Sequence, residues 1–383
     1  MKKVLCITND FGPRAGGIET FVIGLIERMP RGSVVVYTSS QNNSEEFDRN
    51  WLENFGVEVI RDQSKVLLPS FRVGRAARSL IKARGISTVF FGAAAPLGLL
   101  AHGLRRAGAK RIAALTHGHE VWWAKVWPFS HAMRRIGNGV DHLTYLGGYT
   151  QGEIARALST KSASAMVHIA PGIDTDHFAP RPEAKELRRE LHLENKSVIV
   201  SVGRLVHRKG QDFLIRSLPQ ILQVIPNAHI LFVGEGPYKG ELVKIAKQCG
   251  VLENITFIGR VHYSDLPRYI CAGDIFAMPS RSRLAGLEVE GLGIVYLEAS
   301  ACGLPVIGGI SGGAPDAVLE GVTGYSVDGT SQSAIATAAI SLLSNLEESR
   351  EMGVRGRAWI VDQWRWQIWS KKFNDLLEVN QPS

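Results

Sequence analysis

The sequence predicts an α/β protein built from two doubly wound, Rossmann-like parallel-sheet domains. Three observations lead there: short β-branched runs alternate with longer amphipathic stretches, a proline-rich polar break interrupts the pattern near the middle, and the same alternation restarts beyond it. In the first half the strand candidates are Val4–Thr8, Ser33–Thr38, Val57–Ile60, Thr88–Phe91, Ile112–Thr116, His142–Tyr145 and Val167–Ala170. The break lies in Pro171–Glu183, where three prolines fall in a polar stretch. The second half supplies Ser197–Val202, His229–Val233, Ile255–Ile258, Ile275–Met278 and Pro305–Ile307. The expected domains are therefore residues 1–171 and 172–365, with an aromatic C-terminal helix at about 366–383 packing back on the first. Two such domains predict a cleft outside the carboxyl ends of both sheets, where open α/β folds bind ligands.

Length and composition agree with this reading. At about 150 residues per domain, 383 residues give two domains, and 45% hydrophobic with 21% charged residues is enough apolar material for full cores. Cys6, Cys249, Cys271 and Cys302 are widely spaced and form no CxxC pair, so a disulfide framework and a zinc site are both disfavoured and the compartment reads as reducing. The opening MKKVLCITND carries an apolar run of strand length, which reads as a first strand and not a signal peptide. No apolar stretch approaches the roughly 18 residues that span a bilayer, so any membrane contact would be peripheral. A formal net charge of +8 favours an anionic partner without choosing among nucleotide, nucleic acid and acidic lipid.

Three motifs can carry chemistry. In DFGPRAGGIET the pair Gly16–Gly17 joins the first strand to the first helix and lets backbone approach a phosphate or sugar, although a plain tight turn fits it as well. In VGRLVHRKG, Arg204 follows a strand and Lys209 opens the next helix, so two cations can converge on one diphosphate; alone, they could equally be solvated surface charges. The most informative segment is EVEGLGIVYLEASACGLPVI. Its glycines, Gly291 and Gly293, with Leu292 and Ile294, leave free backbone N–H groups at a helix start. Glu298, about one turn into that helix, can accept ribose hydroxyls, and Glu290 at the loop edge can grip a sugar.

With these residues in view, the chain resembles the retaining glycosyltransferases of family 4, which have the GT-B fold, over nearly its whole length. The resemblance rests on two glutamates separated by seven residues, Glu290 and Glu298, on Gly16–Gly17, on Arg204 and Lys209, on the turn Gly234–Pro237 and on His117 in THGHE. It implies that Arg204 and Lys209 hold the diphosphate, Glu298 the ribose and Glu290 the transferred sugar. It also implies that Gly236 lines the donor site, that Val261 meets the base through its backbone, and that His117 sits near the reacting centre, with His119 as its near alternative. No metal cofactor is implied, and Asp174-Thr175-Asp176, which spells a metal-binding DxD in other glycosyltransferases, falls in the linker and reads as structural. A dinucleotide site is disfavoured because no GxGxxG completes Gly234-Glu235-Gly236.

The resemblance is closest to actinobacterial enzymes that transfer mannose from GDP-mannose to phosphatidylinositol mannosides. It is carried by TNDFGPRAGGI, FFGAAAPLGLL, LTHGHEVWW, RLVHRKGQD and GLEVEGLGIVYLEASACGLPVIGGISGGAP. It implies GDP-mannose as donor, the inositol 6-position of phosphatidylinositol monomannoside as acceptor, retention of configuration, no nucleic-acid partner, and a cytoplasmic location on the inner face of the plasma membrane. Gly12, Trp122 and Glu288 depart from those relatives. Independently of the resemblance, Arg72, Arg75, Arg78, Lys82 and Arg84 recur at helical spacing with Val73, Leu80 and Ile81, an amphipathic basic helix suited to anionic headgroups. Trp122, Trp123, Trp127 and Phe129 cluster with Lys125, Arg134 and Arg135 in an interfacial composition. Solvated charge and buried tryptophans explain both segments equally well at this level. Transfer of another sugar from UDP, and nucleotide-sugar binding without turnover, are the competing functions.

Overall fold

A computed structural model of the chain describes residues 2–14 and 16–379. The chain divides into two compact units, Met1–Gly172 with Trp366–Ser383, and Ile173–Arg365.

The first unit contains a seven-stranded sheet. Its strands are β1 (Val4–Thr8), β2 (Val34–Thr38), β3 (Glu58–Arg61), β4 (Thr88–Phe91), β5 (Arg111–Ala114), β6 (His142–Tyr145) and β7 (Val167–His168), in the order β3-β2-β1-β4-β5-β6-β7. The second unit holds β8 (Ser197–Val202), β9 (Ala228–Val233), β10 (Ile255–Gly259), β11 (Ile275–Met278), β12 (Val306–Gly309) and β13 (Gly324–Val327), in the order β10-β9-β8-β11-β12-β13. Both sheets are parallel, and the chain reverses direction of winding between β1 and β4 and again between β8 and β11. Crevices at such switch points, at the carboxyl ends of the strands, are where this class of sheet binds ligands.

Burial on both faces explains why these strands read as continuous apolar runs and not as alternating ones. Val4–Thr8, Val34–Thr38 and Ala228–Val233 are buried at every position. Around the second sheet, Leu214, Leu218 and Ile221 from the helix Gln211–Val224 pack with Ile335, Ala339 and Leu342 from Gln332–Ser344.

The aromatic C-terminal helix runs Trp366–Leu377 and packs within the first unit; residues 380–383 of the expected helix lie outside the described residues. Gly24 makes room for it, because a Cβ there would lie 2.4 Å from the Trp366 ring. Arg28 stacks over Trp366 at 4.7 Å, Phe373 meets Phe90 edge-on at 5.2 Å, and Asn374 donates to the Arg28 carbonyl.

Candidate active site

In the second unit the site begins where β8 ends. A short 3₁₀ turn, His207–Lys209, leads into Gly210, which sits in the left-handed region at φ 75°. Any side chain at 210 would collide with the Pro279 carbonyl, since a Cβ would lie 1.8 Å from its oxygen. This close approach carries Lys209 to Glu290: Lys209 Nζ donates to Glu290 Oε2 at 2.8 Å and Arg208 Nη1 donates to the same oxygen at 2.7 Å. Lys209 is therefore a buried, paired cation and not one of two solvated charges. Burial alone would raise the Glu290 carboxyl, but the Lys209 and Arg208 cations reverse that and hold it below the usual glutamate range. Arg204 is exposed, and among the described residues its guanidinium has no partner.

The glycine turn that follows Glu290 is braced from two sides. Gly293, at φ 77°, caps the helix Ile294–Ala301, and a Cβ there would lie 2.3 Å from the Tyr296 ring. Tyr296 is fully buried and its hydroxyl donates to the Met278 carbonyl at 2.7 Å, which pins the helix start to the end of β11. The Gly313 amide donates to the Glu290 carbonyl at 2.8 Å, and a Cβ on Gly313 would lie 2.2 Å from the Gly291 carbonyl oxygen. Gly291, Leu292, Gly293 and Ile294 thus form a rigid helix start: the Tyr296 amide turns back to the Gly293 carbonyl at 2.9 Å, while among the described residues the amides of 291–294 have no backbone partner.

Glu298 lies in the second turn of that helix. It is partly buried, and among the described residues its carboxylate has no hydrogen-bond partner. Burial pushes its pKa up to about 7, with Lys209 pulling the other way. A ligand hydroxyl donating to this carboxylate would favour its charged form. A nucleotide whose ribose hydroxyl donates to Glu298 should therefore bind more tightly as pH rises through about 7 and release protons on binding. Calorimetry in buffers of different ionisation enthalpy measures that release, and Glu298→Gln should remove it. The stability linkage runs in the opposite sense, because a raised carboxyl contributes stability below the unfolded glutamate value that is lost as pH rises through about 7.

Gly236 and Val261 reach the same strand ends. The Leu205 amide donates to the Glu235 carbonyl and the Gly234 amide to the Gly259 carbonyl, so the turns after β8, β9 and β10 are knitted together. A Cβ on Gly236 would lie 2.1 Å from the Leu205 carbonyl oxygen. The sequence reading missed two contributors here. Arg208, adjacent to the singled-out Lys209, shares Glu290; Arg281 forms a two-pronged pair with Asp212 at 2.7 and 2.9 Å and donates its amide to the Arg208 carbonyl. Asp174, in the DxD, accepts from the Asp176 and His177 amides, so its carboxylate closes a turn. Among the described residues no group of three or more His, Cys, Asp or Glu could hold a metal.

In the first unit, Gly16 caps the helix Gly17–Glu27 in extended conformation, and a Cβ there would lie 2.3 Å from Glu19 Oε2. A Cβ on Gly17 meets nothing within 4 Å, so the chain's own packing does not demand glycine at 17. His117 follows β5, and its Nε2 lies 2.5 Å from the Gly92 carbonyl oxygen. Only an N–H can face a carbonyl, which leaves Nδ1 with its lone pair. Burial lowers the His117 pKa, keeping the ring neutral near pH 7. Glu120 accepts the His117 amide at 2.9 Å and lies 3.2 Å from His119 Nε2. Arg14 pairs with Glu19 at 2.6 Å and lies 3.5 Å from Asp10. Asp10, Glu19 and Glu120 were not foreseen, and only their proximity after folding distinguishes them from other acids.

The expected basic helix exists as Phe71–Arg84, but its charges and apolar stripe are arranged differently from the sequence reading. Val73, Ala77 and Ile81 face the core, Arg72 pairs with Asp62 at 2.7 Å, and Arg84 pairs with Glu58. The exposed apolar residues are instead Val66, Leu68 and Phe71, at 57%, 59% and 71% exposure. Arg75 and Arg78 stack over Phe71 at 4.8 and 5.8 Å. Trp122, Trp123 and Phe129 pack together at 4.8–5.4 Å while Trp127 projects outward. Among the described residues no helix is long and apolar enough to cross a membrane.

The fold has close counterparts among solved structures. Anabaena Alr3699/HepE in complex with UDP superposes with a TM-score of 0.82 at 19% identity, covering 98% of this chain and 99% of that one. Sucrose-phosphate synthase from Thermosynechococcus elongatus gives 0.77 at 21% identity, covering 98% of each chain. The protein is a glycosyltransferase of the GT-B fold, two Rossmann-like domains in one chain. Residues 15–177 match Glycosyltransferase Family 4 and residues 183–359 match Glycosyl transferases group 1. The chain is 44% identical over 376 residues to the GDP-mannose-dependent alpha-(1-6)-phosphatidylinositol monomannoside mannosyltransferase of Mycolicibacterium smegmatis, covering 98% of both. A Mycobacterium tuberculosis protein of the same name is 43% identical over 381 residues, and a Corynebacterium glutamicum mannosyltransferase named for the monoacylated acceptor is 40% identical over 380; each pairing covers 98% of both chains. The chain belongs to glycosyltransferase family 4.

Proposed function

We propose that the protein is a retaining α-mannosyltransferase that moves mannose from GDP-mannose to the inositol 6-position of phosphatidylinositol monomannoside. It acts at the inner face of the plasma membrane, as a peripheral protein. The observation that carries this reading is the 40–44% identity, over nearly the whole chain, to mannosyltransferases named for that donor and acceptor. The site chemistry supports it. Arg204 and Lys209 offer two cations, and Gly291–Ile294 offers helix-start amides, for a departing diphosphate. That arrangement stabilises the leaving group without a metal cofactor. Glu298 takes the ribose and Glu290 the mannose. The anomeric C–O bond to phosphate breaks as the acceptor oxygen bonds on the same face, and the leaving phosphate oxygen takes the acceptor's proton. No enzyme nucleophile is used, and His117 Nδ1 accepts from a mannose hydroxyl.

The test offers radiolabelled GDP-mannose and a panel of UDP-sugars to lipid extracts containing phosphatidylinositol monomannoside, with EDTA present. Label should enter a dimannosylated lipid from GDP-mannose alone. Label from a UDP-sugar, or from none, would refute the reading. For the membrane contact, co-sedimentation with vesicles should rise with anionic lipid content and fall when Arg75 and Arg78 are both changed to Glu, at about 1 kcal/mol per cation lost. Binding indifferent to both would remove Phe71–Arg84 from the docking surface.

A further inference from the structure

We propose that a polar cup in the first unit binds the phosphorylated head of the acceptor, with Lys65 on its phosphate; this rests on the lipid-acceptor reading above. The cup, about 630 Å³, opens beside the ends of β1 and β2 and is lined by residues that include Asn9, Ser40, Gln41, Asn42, Asn43 and Lys65. Its walls are fixed. Gln41 accepts the Arg14 amide and donates to the Phe11 carbonyl, both at 3.0 Å, and Asn9 clamps Leu67 by donating to its carbonyl at 3.0 Å and accepting its amide at 2.6 Å. These bonds consume the wall amides, whereas the side chains of Asn42, Asn43 and Lys65 are exposed and, among the described residues, have no partner. No carboxylate is among the residues that line the cup, and its other cation, Arg14, is already paired with Glu19. Amide and hydroxyl groups with one unpaired ammonium suit a polyol bearing a phosphate.

The neighbouring chain identifies which phosphorylated polyol. Lys65 is followed directly by Val66, which lines the cup, and then by Leu68 and Phe71, the three apolar residues exposed at 57%, 59% and 71%. The cation therefore stands where the polar cup gives way to an apolar ridge. In a phospholipid the phosphate occupies the corresponding place, between a hydrophilic head and acyl chains. A free phosphate or a soluble sugar phosphate would use the cup and leave the ridge without a role.

The experiment compares two water-soluble acceptors, mannosyl-inositol carrying its glycerophosphate and mannosyl-inositol without phosphate, with GDP-mannose as donor. Lys65→Ala should raise KM for the phosphate-bearing acceptor by about 10-fold to 100-fold, as expected for a lost charge-assisted hydrogen bond. KM for the phosphate-free acceptor and for GDP-mannose should stay unchanged, and Lys65→Arg should restore most of the loss. Leu68→Asp should raise KM for the acylated lipid in mixed micelles and spare the soluble phosphodiester. An equal loss on both soluble acceptors, no loss on either, or a Leu68→Asp defect on the soluble phosphodiester would overturn the assignment. If the unsubstituted chain transfers mannose to no inositol acceptor, the underlying reading fails, and this inference with it.

Discussion

Replacing Glu290 with glutamine should lower kcat by about 10²–10³-fold, the loss seen when one fixed electrostatic contact to a transition state is removed. The substitution keeps the side chain's volume and removes its charge. In the folded chain that charge is held between Lys209 at 2.8 Å and Arg208 at 2.7 Å, and against the upward push of burial both cations hold the carboxyl below the usual glutamate range. Glutamine removes the counter-charge from Lys209 and leaves Arg208 with only Glu288, 3.9 Å away. Breaking a buried pair in this way costs on the order of 3–5 kcal/mol, and the partial exposure of Arg208 places this case toward the lower end. Urea unfolding should register the loss. Because the folded Glu290 pKa is depressed, its contribution is present above the ordinary glutamate range and lost as pH falls through the depressed value. The stability gap between the two proteins should thus close in acid and stay open near neutrality.

Lys209→Met should be nearly as damaging to transfer, with kcat/KM for GDP-mannose down by about 10²–10³-fold. Lys209 is the buried cation of the pair, and the charge it presents cannot be replaced by water at 9% exposure. The loss should also change the pH profile. With only Arg208 left on it, Glu290 regains part of the upward push of burial, so the acidic limb of kcat/KM should move to higher pH. Arg204→Met is the informative contrast. Its guanidinium is exposed and, among the described residues, unpartnered, so donor affinity should fall while unfolding free energy stays within about 0.5 kcal/mol. A Lys209→Met protein that keeps its activity and its pH profile would remove Lys209 from the diphosphate site.

Much of this was legible in the sequence because parallel strands buried on both faces announce themselves as apolar runs. Val4–Thr8, Thr88–Phe91 and Ser197–Val202 occur as read. Edges were harder. The expected strand Ile112–Thr116 is observed as Arg111–Ala114; the Leu115 amide still donates to the Phe91 carbonyl, but its carbonyl accepts from Ala94 and the Thr116 hydroxyl donates to the Thr144 carbonyl, so regular pairing stops short of His117. β13, Gly324–Val327, went unread because an edge strand with a glycine and a serine in GYSV carries little apolar pattern. Within the site, Lys209, Glu290, Gly293 and Glu298 stand out by type and spacing. Their pairing does not, since a lysine and a glutamate 81 positions apart meet only through the approach of Gly210 to Pro279. The same holds for Arg208 and for the Arg281–Asp212 pair. Helical spacing in Phe71–Arg84 was read correctly, but spacing alone could not tell that Asp62 takes Arg72 and that the core takes Val73 and Ile81.

Central to the account is the claim that Arg204, Lys209 and the amides of Gly291–Ile294 hold the donor's diphosphate. A crystal structure of the complex with GDP-mannose measures it directly. The predicted result is phosphate oxygens within hydrogen-bond distance of Lys209 Nζ and of the helix-start amides, with the ribose on Glu298 and the mannose on Glu290. Density for the nucleotide elsewhere, with Lys209 touching only Glu290, would contradict it.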